Sequence, residues 1–223
     1  MMNGNWLIEN LLDLTHTRAA ELFADKCYAW EVLAHIKDCI LQIGAQLNDA
    51  AFERRGEDIW IHRTAKVAPS ASITGPCIID AETEVRHCAF IRGSALIGKN
   101  CVVGNSAEIK NAILFDNVQT PHYNYIGDSV LGYKSHLGAG AVTSNVKSDR
   151  SLVTVRDGEL RHATGLKKFG AIVGDFAEVG CNAVLNPGTV LSRHSSVYPT
   201  TCARGTVPEN GILKNDGRVV IRD

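Results

Sequence analysis

Residues 61–115, IHRTAKVAPSASITGPCIIDAETEVRHCAFIRGSALIGKNCVVGNSAEIKNAILF, place an aliphatic or aromatic residue at every sixth position: Ile61, Val67, Ile73, Ile79, Val85, Ile91, Ile97, Val103, Ile109 and Phe115. The beat returns as Val173, Val179, Leu185, Leu191 and Val197. Four residues after most of these sits a small one, such as Ala65, Ala71, Cys77, Thr83, Ala89, Ala95, Cys101 and Ala107, and later Ala177, Ala183, Thr189, Ser195 and Thr201. Helices need apolar spacing near 3.6 and ordinary strands near 2, so a sustained period of six fits neither. It fits a parallel β-helix, in which each hexapeptide is one flat face and three faces close a coil. One large and one small inward residue per face then fill a narrow triangular interior.

Working outward, residues 1–55 read as a helical cap. Trp30, Leu33, Ile36, Ile40, Ile43 and Leu47 follow three- and four-residue steps, and Thr17 is placed to cap a short helix over residues 18–23. The stripe is expected to cover the open end of the β-helix, since solenoids need terminal caps; packing between subunits is the lesser alternative. The β-helix is expected over 56–205. It is broken where Ile126 follows Phe115 by eleven residues and Leu131 follows after five more, around Pro121, His122 and Tyr125. A second break, 146–167, carries alternating residues about Asp157-Gly158 and predicts a hairpin projecting outward. Residues 206–223 predict another hairpin about Asp216-Gly217.

Bulk properties narrow the class. The 223 residues carry 23 basic and 24 acidic groups, with no basic stripe for nucleic acid and no polybasic cluster for a membrane surface. The N-terminus lacks a charged n-region and an adequate apolar run, so no signal peptide is read and a cytoplasmic protein is expected. Seven cysteines without a CxxC, two of them (Cys77 and Cys101) in inward small slots, point to free thiols rather than a metal site.

Three hexapeptides per coil stack residues 18 apart, which sets Arg92 beside Lys110. Two stacked cations repel unless an anion lies against them, as in a phosphate clamp; by itself the pair reads first as a solvated surface pair. His122, at the break in the repeat and flanked by Tyr123 and Tyr125, is a candidate general base, with a hydrogen-bonded surface histidine as the alternative. Gly138, Ala139, Gly140 and Ala141 offer a smooth wall to a long cofactor arm, or simply make a turn.

These residues resemble the left-handed β-helix acyltransferases. They are most similar to the acetyltransferase domain of bifunctional glucosamine-1-phosphate acetyltransferase/N-acetylglucosamine-1-phosphate uridyltransferase and to the C-terminal domains of sugar-1-phosphate nucleotidylyltransferases. The resemblance spans about residues 60–200 and supplies the handedness. It implies that Arg92, Lys110, Tyr125 and Lys168 bind a sugar phosphate and that His122 is catalytic. It further implies that Asn145 orients the amino sugar while Ala139 and Cys181 meet the acetyl-CoA co-substrate. A homotrimer without metal is implied, acting in sugar-nucleotide synthesis on an amino-sugar phosphate such as glucosamine 1-phosphate. His136, Cys181 and Pro199 depart from the pattern, which usually has asparagine, serine and alanine there. No Gly-rich GlyThrArg loop occurs, so nucleotidyltransferase activity is not expected. A non-catalytic sugar-phosphate or sugar-nucleotide binder and a purely structural trimeric scaffold are the competing readings.

Overall fold

The computed structural model describes residues 4–222 and forms a left-handed parallel β-helix of triangular section. One face stacks the strands Ile59–His62, Cys77–Ile79, Ala95–Ile97, Ala171–Val173, Thr189–Leu191 and Thr206–Val207. The second stacks Lys66–Val67, Glu84–Val85, Val102–Asn105, Gln119–His122, His136–Leu137, Glu178–Val179, Ser196–Val197 and Gly211–Leu213. The third stacks Ser72–Thr74, Phe90–Arg92, Val142–Thr143, Val184–Leu185 and Cys202–Ala203. Two longer strands, Glu108–Leu114 and Tyr125–Leu131, bend round the corner and serve both the third face and the first.

The interior follows the sequence pattern. Ile61, Ile79, Val85, Ile91, Ile97, Val103 and Ile109 are buried, as are the small partners Cys77, Ala89, Ala95, Cys101 and Ala107. Polar residues in small slots are satisfied by the wall itself: the Thr83 hydroxyl donates to the Gly98 carbonyl at 2.6 Å and Ser195 to Ser192 at 2.7 Å. The cost of burying a hydroxyl is thereby met by a hydrogen bond.

The break in the beat has a local cause. Between Arg92 and Ala95 the corner takes two residues, Gly93 and Ser94, both at positive φ; after Lys110 and Gly127 it takes one each, Asn111 and Asp128, both at φ 48. Asparagine and aspartate tolerate this left-handed region better than most residues. Each coil there is one residue short, so Leu114 and not Phe115 pairs with Ile97 and fills the inward slot. Phe115 turns outward and is covered by Phe23, ring centroids 6.0 Å apart. The shortening thus lies at Asn111 and Asp128 rather than around Pro121.

The helical segment covers a side of the prism instead of an open end. On the first face the outward residues Trp60, Ile78, Leu96, Ile113, Val130, Ile172 and Val190 are apolar and at most 8% exposed. Uncovered, that column would leave a long apolar stripe in water, at about 25 cal/mol per Å². The N-terminal segment runs along it. Trp6 donates its indole N–H to Thr206 at 2.8 Å near the last coils, Phe23 meets Phe115 midway, and Gly44 presses on the Trp60 ring in the first. Only Ile36–Gln46 of the expected stripe is regular α-helix; Trp30 lies in the 3-10 turn Ala29–Val32, where it stacks on Tyr28 at 4.5 Å. Thr17 does not cap the short helix Ala20–Phe23; its hydroxyl accepts from the Ala19 N–H one residue earlier, at 3.2 Å. The exposed edges of the sheets end in antiparallel strands, Phe52–Arg54 on Ile59–His62 and Val219–Ile221 on Gly211–Leu213. The coil strands therefore continue to Leu213, past the expected limit of 205, before the C-terminal hairpin closes.

The hairpin Thr154–Asp157/Leu160–Ala163 is excluded from the interior, but it does not project. Val153 and Val155 are fully buried, the Thr206 hydroxyl donates to the Arg156 carbonyl at 3.0 Å, and His162 packs 4.7 Å from the Tyr28 ring. The alternation of residues 153–157 supplies an apolar side, and that side lies back on the C-terminal coils.

Candidate functional site

The third face and its two corners carry the candidate residues. Pairing of Ile91 with Ile109 sets Arg92 and Lys110 side by side at the corner that leads to the first face. One coil further, Tyr125 pairs with Glu108, and its hydroxyl accepts a 3.2 Å hydrogen bond from the Asn145 amide. The 146–167 excursion closes where the Phe169 N–H donates to the Asn145 carbonyl at 2.9 Å, which brings Lys168 alongside Asn145. Arg92, Lys110, Tyr125, Asn145 and Lys168 therefore gather on neighbouring coils although they span 76 positions of sequence (168 − 92).

His122 stands at the opposite corner of the face. The Gly140 N–H donates to the His122 carbonyl, Asn182 to Ala139, and Thr200 to Cys181, at 2.9, 2.8 and 2.8 Å. His122, Ala139, Cys181 and Pro199 consequently form one column, one residue per coil, about 4.8 Å apart in a parallel sheet. The His122 imidazole is exposed and has no hydrogen-bond partner among the described residues. Cys181 is exposed and Ala139 half-buried, so small side chains follow the histidine along the corner. A slender arm laid along this column would meet backbone and small groups, with its end at the imidazole.

His136 lies off this face, on the second, where its Nδ1 pairs with Glu178 at 2.8 Å. That contact engages it in a surface hydrogen bond on another face from Tyr125 and Asn145.

The two cations are not left facing each other. Arg92 donates to Glu108 at 2.7 Å, and the Lys110 ammonium lies 3.3 Å from Asp128, which is 4% exposed. Asp128 also accepts from Asn111 at 2.9 Å and from Asn145 at 2.5 Å. The sequence reading missed both carboxylates. Glu108 was legible in principle, two residues before Lys110 and so on the same face of the strand. Burial, with Asp128 and Glu108 nearby, pushes the Tyr125 phenol above its ordinary pKa, opposed by Arg92 and by the Asn145 hydrogen bond. The phenol is therefore held protonated and able to donate. Among the described residues, no three His, Cys, Asp or Glu side chains gather as a metal site, and no helix is long and apolar enough to cross a membrane.

A family model described as the GMPPB C-terminal domain matches residues 73–207, the region that builds these coils and both corners. The chain belongs to the GMPPB C-terminal domain family. The match excludes the N-terminal segment and includes every candidate residue above. Among curated proteins, this family member is 29% identical over 175 residues to the bifunctional protein GlmU of Methanococcus aeolicus, covering 70% of this chain and 42% of that protein. It is 32% identical over 133 residues to GlmU of Methanococcus maripaludis strain C5, covering 60% and 32%. The chain thus spans well under half the length of these relatives. Among solved structures it is similar to the acetyltransferase domain of PglB from Neisseria gonorrhoeae in complex with acetyl coenzyme A, at 15% identity and TM-score 0.33, covering 74% of this chain and 58% of that one.

Proposed function

We propose that this chain is an acetyl-CoA-dependent N-acetyltransferase acting on an amino-sugar phosphate, glucosamine 1-phosphate being the first substrate to test. The observation that carries the reading is the arrangement of the third face. A histidine heads a column of small residues at one corner, while cations, a phenol and an amide meet at the other. Acetyl-CoA laid along Ala139 and Cys181 would end with its thioester at His122. The substrate phosphate would be drawn to Arg92, Lys110 and Lys168, with the Tyr125 hydroxyl as a further donor and Asn145 directed at the amino sugar. Arg92 is half-exposed, and surface ion pairs are worth at most about 1 kcal/mol, so exchanging Glu108 for a phosphate costs little.

In this reaction the amine nitrogen attacks the thioester carbonyl and the His122 imidazole takes the proton that the nitrogen sheds. Collapse of the tetrahedral adduct breaks the C–S bond, and the imidazolium returns the proton to the leaving thiolate. Positioning and general-base catalysis are the two contributions, the latter typically 10²–10⁴-fold. A homotrimer is part of this reading: the face is an open wall in one chain, and cyclic symmetry would cover it three times over with a neighbouring β-helix.

The test is thiol release from acetyl-CoA with a panel of amino-sugar phosphates, native chain against His122→Ala, read by product mass because four of the protein's own cysteines are exposed. Release that depends on the sugar and falls about 100-fold or more in His122→Ala, with the melting temperature unchanged, is expected. Equal turnover in the variant would remove His122 from the mechanism. Tight sugar-phosphate binding without turnover would favour the binder.

A further inference from the structure

We propose that the N-terminal segment sets the geometry of the site through a hydrogen-bonded relay in which Asn111 and Asp128 are positioning residues for Lys110 and Asn145. The inference deepens the acetyltransferase reading above and rests on it for the roles of Lys110 and Asn145.

The relay begins outside the family-matched region, which starts at residue 73. The Leu33 carbonyl, just after the 3-10 turn Ala29–Val32, accepts from the Asn111 amide at 3.1 Å. The same amide nitrogen donates to Asp128 Oδ1 at 2.9 Å. On the other carboxylate oxygen, Asn145 donates at 2.5 Å and Lys110 at 3.3 Å. One amide thus spends its two hydrogens on the N-terminal segment and on the carboxylate that holds two candidate substrate-binding groups. Asp128 is 4% exposed, so water cannot replace a donor that leaves.

A second route reaches the same place. Trp30, in the same turn, lies 5.9 Å from the Phe169 ring, and the Phe169 N–H holds the Asn145 carbonyl at 2.9 Å. The neighbouring Gly170 N–H holds the Asp128 carbonyl at 2.8 Å. Side chain and backbone of Asn145 are therefore both tied to groups that the N-terminal segment supports.

A plain structural role would glue the segment to the wall and nothing more. It predicts a lower melting temperature with unchanged substrate affinity. A positioning role predicts a selective effect on the amino-sugar phosphate. Lys110 and Asn145 lie on the corner away from the Ala139–Cys181 column, so acetyl-CoA should be indifferent to them.

The experiment uses Asn111→Gly, which keeps the φ of 48 and deletes the amide, and Asp128→Asn, which keeps shape and φ but deletes the charge. KM and kcat are measured separately for glucosamine 1-phosphate and for acetyl-CoA, well below the melting temperature. Amide hydrogen exchange is followed over 29–33 and 144–146 in the same samples. In both variants KM for the sugar phosphate should rise by about 10-fold or more, with KM for acetyl-CoA unchanged and exchange faster over 144–146. Unchanged sugar-phosphate KM in a folded variant overturns the proposal, as does an equal rise in both KM values. If the native chain transfers no acetyl group to any amino sugar, the function fails on its own. The relay is then judged by exchange: unaltered protection over 144–146 in Asn111→Gly overturns it, and faster exchange sustains it. Asn111→Gly alone decides if Asp128→Asn does not fold.

Discussion

Replacing Arg18 with methionine should detach the N-terminal segment where it is most strongly pinned. The guanidinium straddles Asp80, with Nε on one carboxylate oxygen in a short contact and Nη2 3.2 Å from the other. Asp80 is 1% exposed, and its remaining donor is the Ala81 N–H at 2.7 Å. Removing one partner of a buried pair costs about 3–5 kcal/mol, because a charge is stranded out of water. Here the arginine is 35% exposed and one N–H remains to the carboxylate, so about 2–3 kcal/mol is the better figure. At about 2–4 °C per kcal/mol for a chain of this size, the melting temperature should fall by about 4–12 °C. Arg18→Met combined with Asp80→Asn should recover more than half of the loss, because the stranded charge is gone. Urea titration with an unchanged m-value measures all three chains. A single-variant cost below about 0.5 kcal/mol, or a double variant no better than Arg18→Met, would refute the argument that desolvation of Asp80 sets the cost.

Gly104→Ala would drive a methyl into the Pro121 carbonyl oxygen, a backbone atom that cannot yield without moving His122. We expect at least about 1–3 kcal/mol of destabilisation by denaturant titration and a loss of turnover that persists where the variant is still folded. Burial pushes the Cys77 and Cys101 thiols up to about 12, whereas Cys27, Cys88, Cys181 and Cys202 are exposed. Alkylation followed by peptide mass spectrometry should label the exposed four in the native state and the first two only after unfolding, and saturating acetyl-CoA should protect Cys181 selectively. For Asp175, burial raises the carboxyl above its ordinary 3.8 despite N–H donors from Tyr133 and Asp13. Its folded form binds the proton more tightly than its unfolded form, so its contribution is present below pH 3.8 and lost as pH rises through the raised value. Asp175→Asn should flatten that decline in a stability–pH series; an unchanged slope would contradict it.

The β-helix was legible because its interior repeats: every inward slot is one of two sizes, and six-residue spacing survives any surface substitution. Where the N-terminal segment lies was written less loudly. The triplets at 77–79, 95–97 and 171–173 carry two adjacent aliphatics, one inward and one outward, whereas the second face shows Glu84-Val85 and Glu178-Val179. That contrast marks a covered face, but period-six reading scores only the inward member. The hairpin strands fall at Thr154–Asp157 and Leu160–Ala163, and their direction depends on Val153 and Val155 meeting the later coils, which alternation within the insert does not announce. At the candidate site, stacking by 18 sets Arg92 beside Lys110, while Tyr125, Asn145 and Lys168 were named by the family resemblance alone. Asp128 escaped because its side chain leaves from a corner, where the alternation of a strand no longer says which way a residue faces.

The two single-residue corners have a wider meaning. A uniform solenoid is translationally degenerate: each coil looks like the next, and nothing in the geometry says where along the axis a ligand should stop. Omitting one residue at Asn111 and again at Asp128 ends that degeneracy over two consecutive coils. The omissions fall beside Lys110 and one coil below Asn145, so one of the places where the rod loses its periodicity is also where the candidate substrate-binding residues gather.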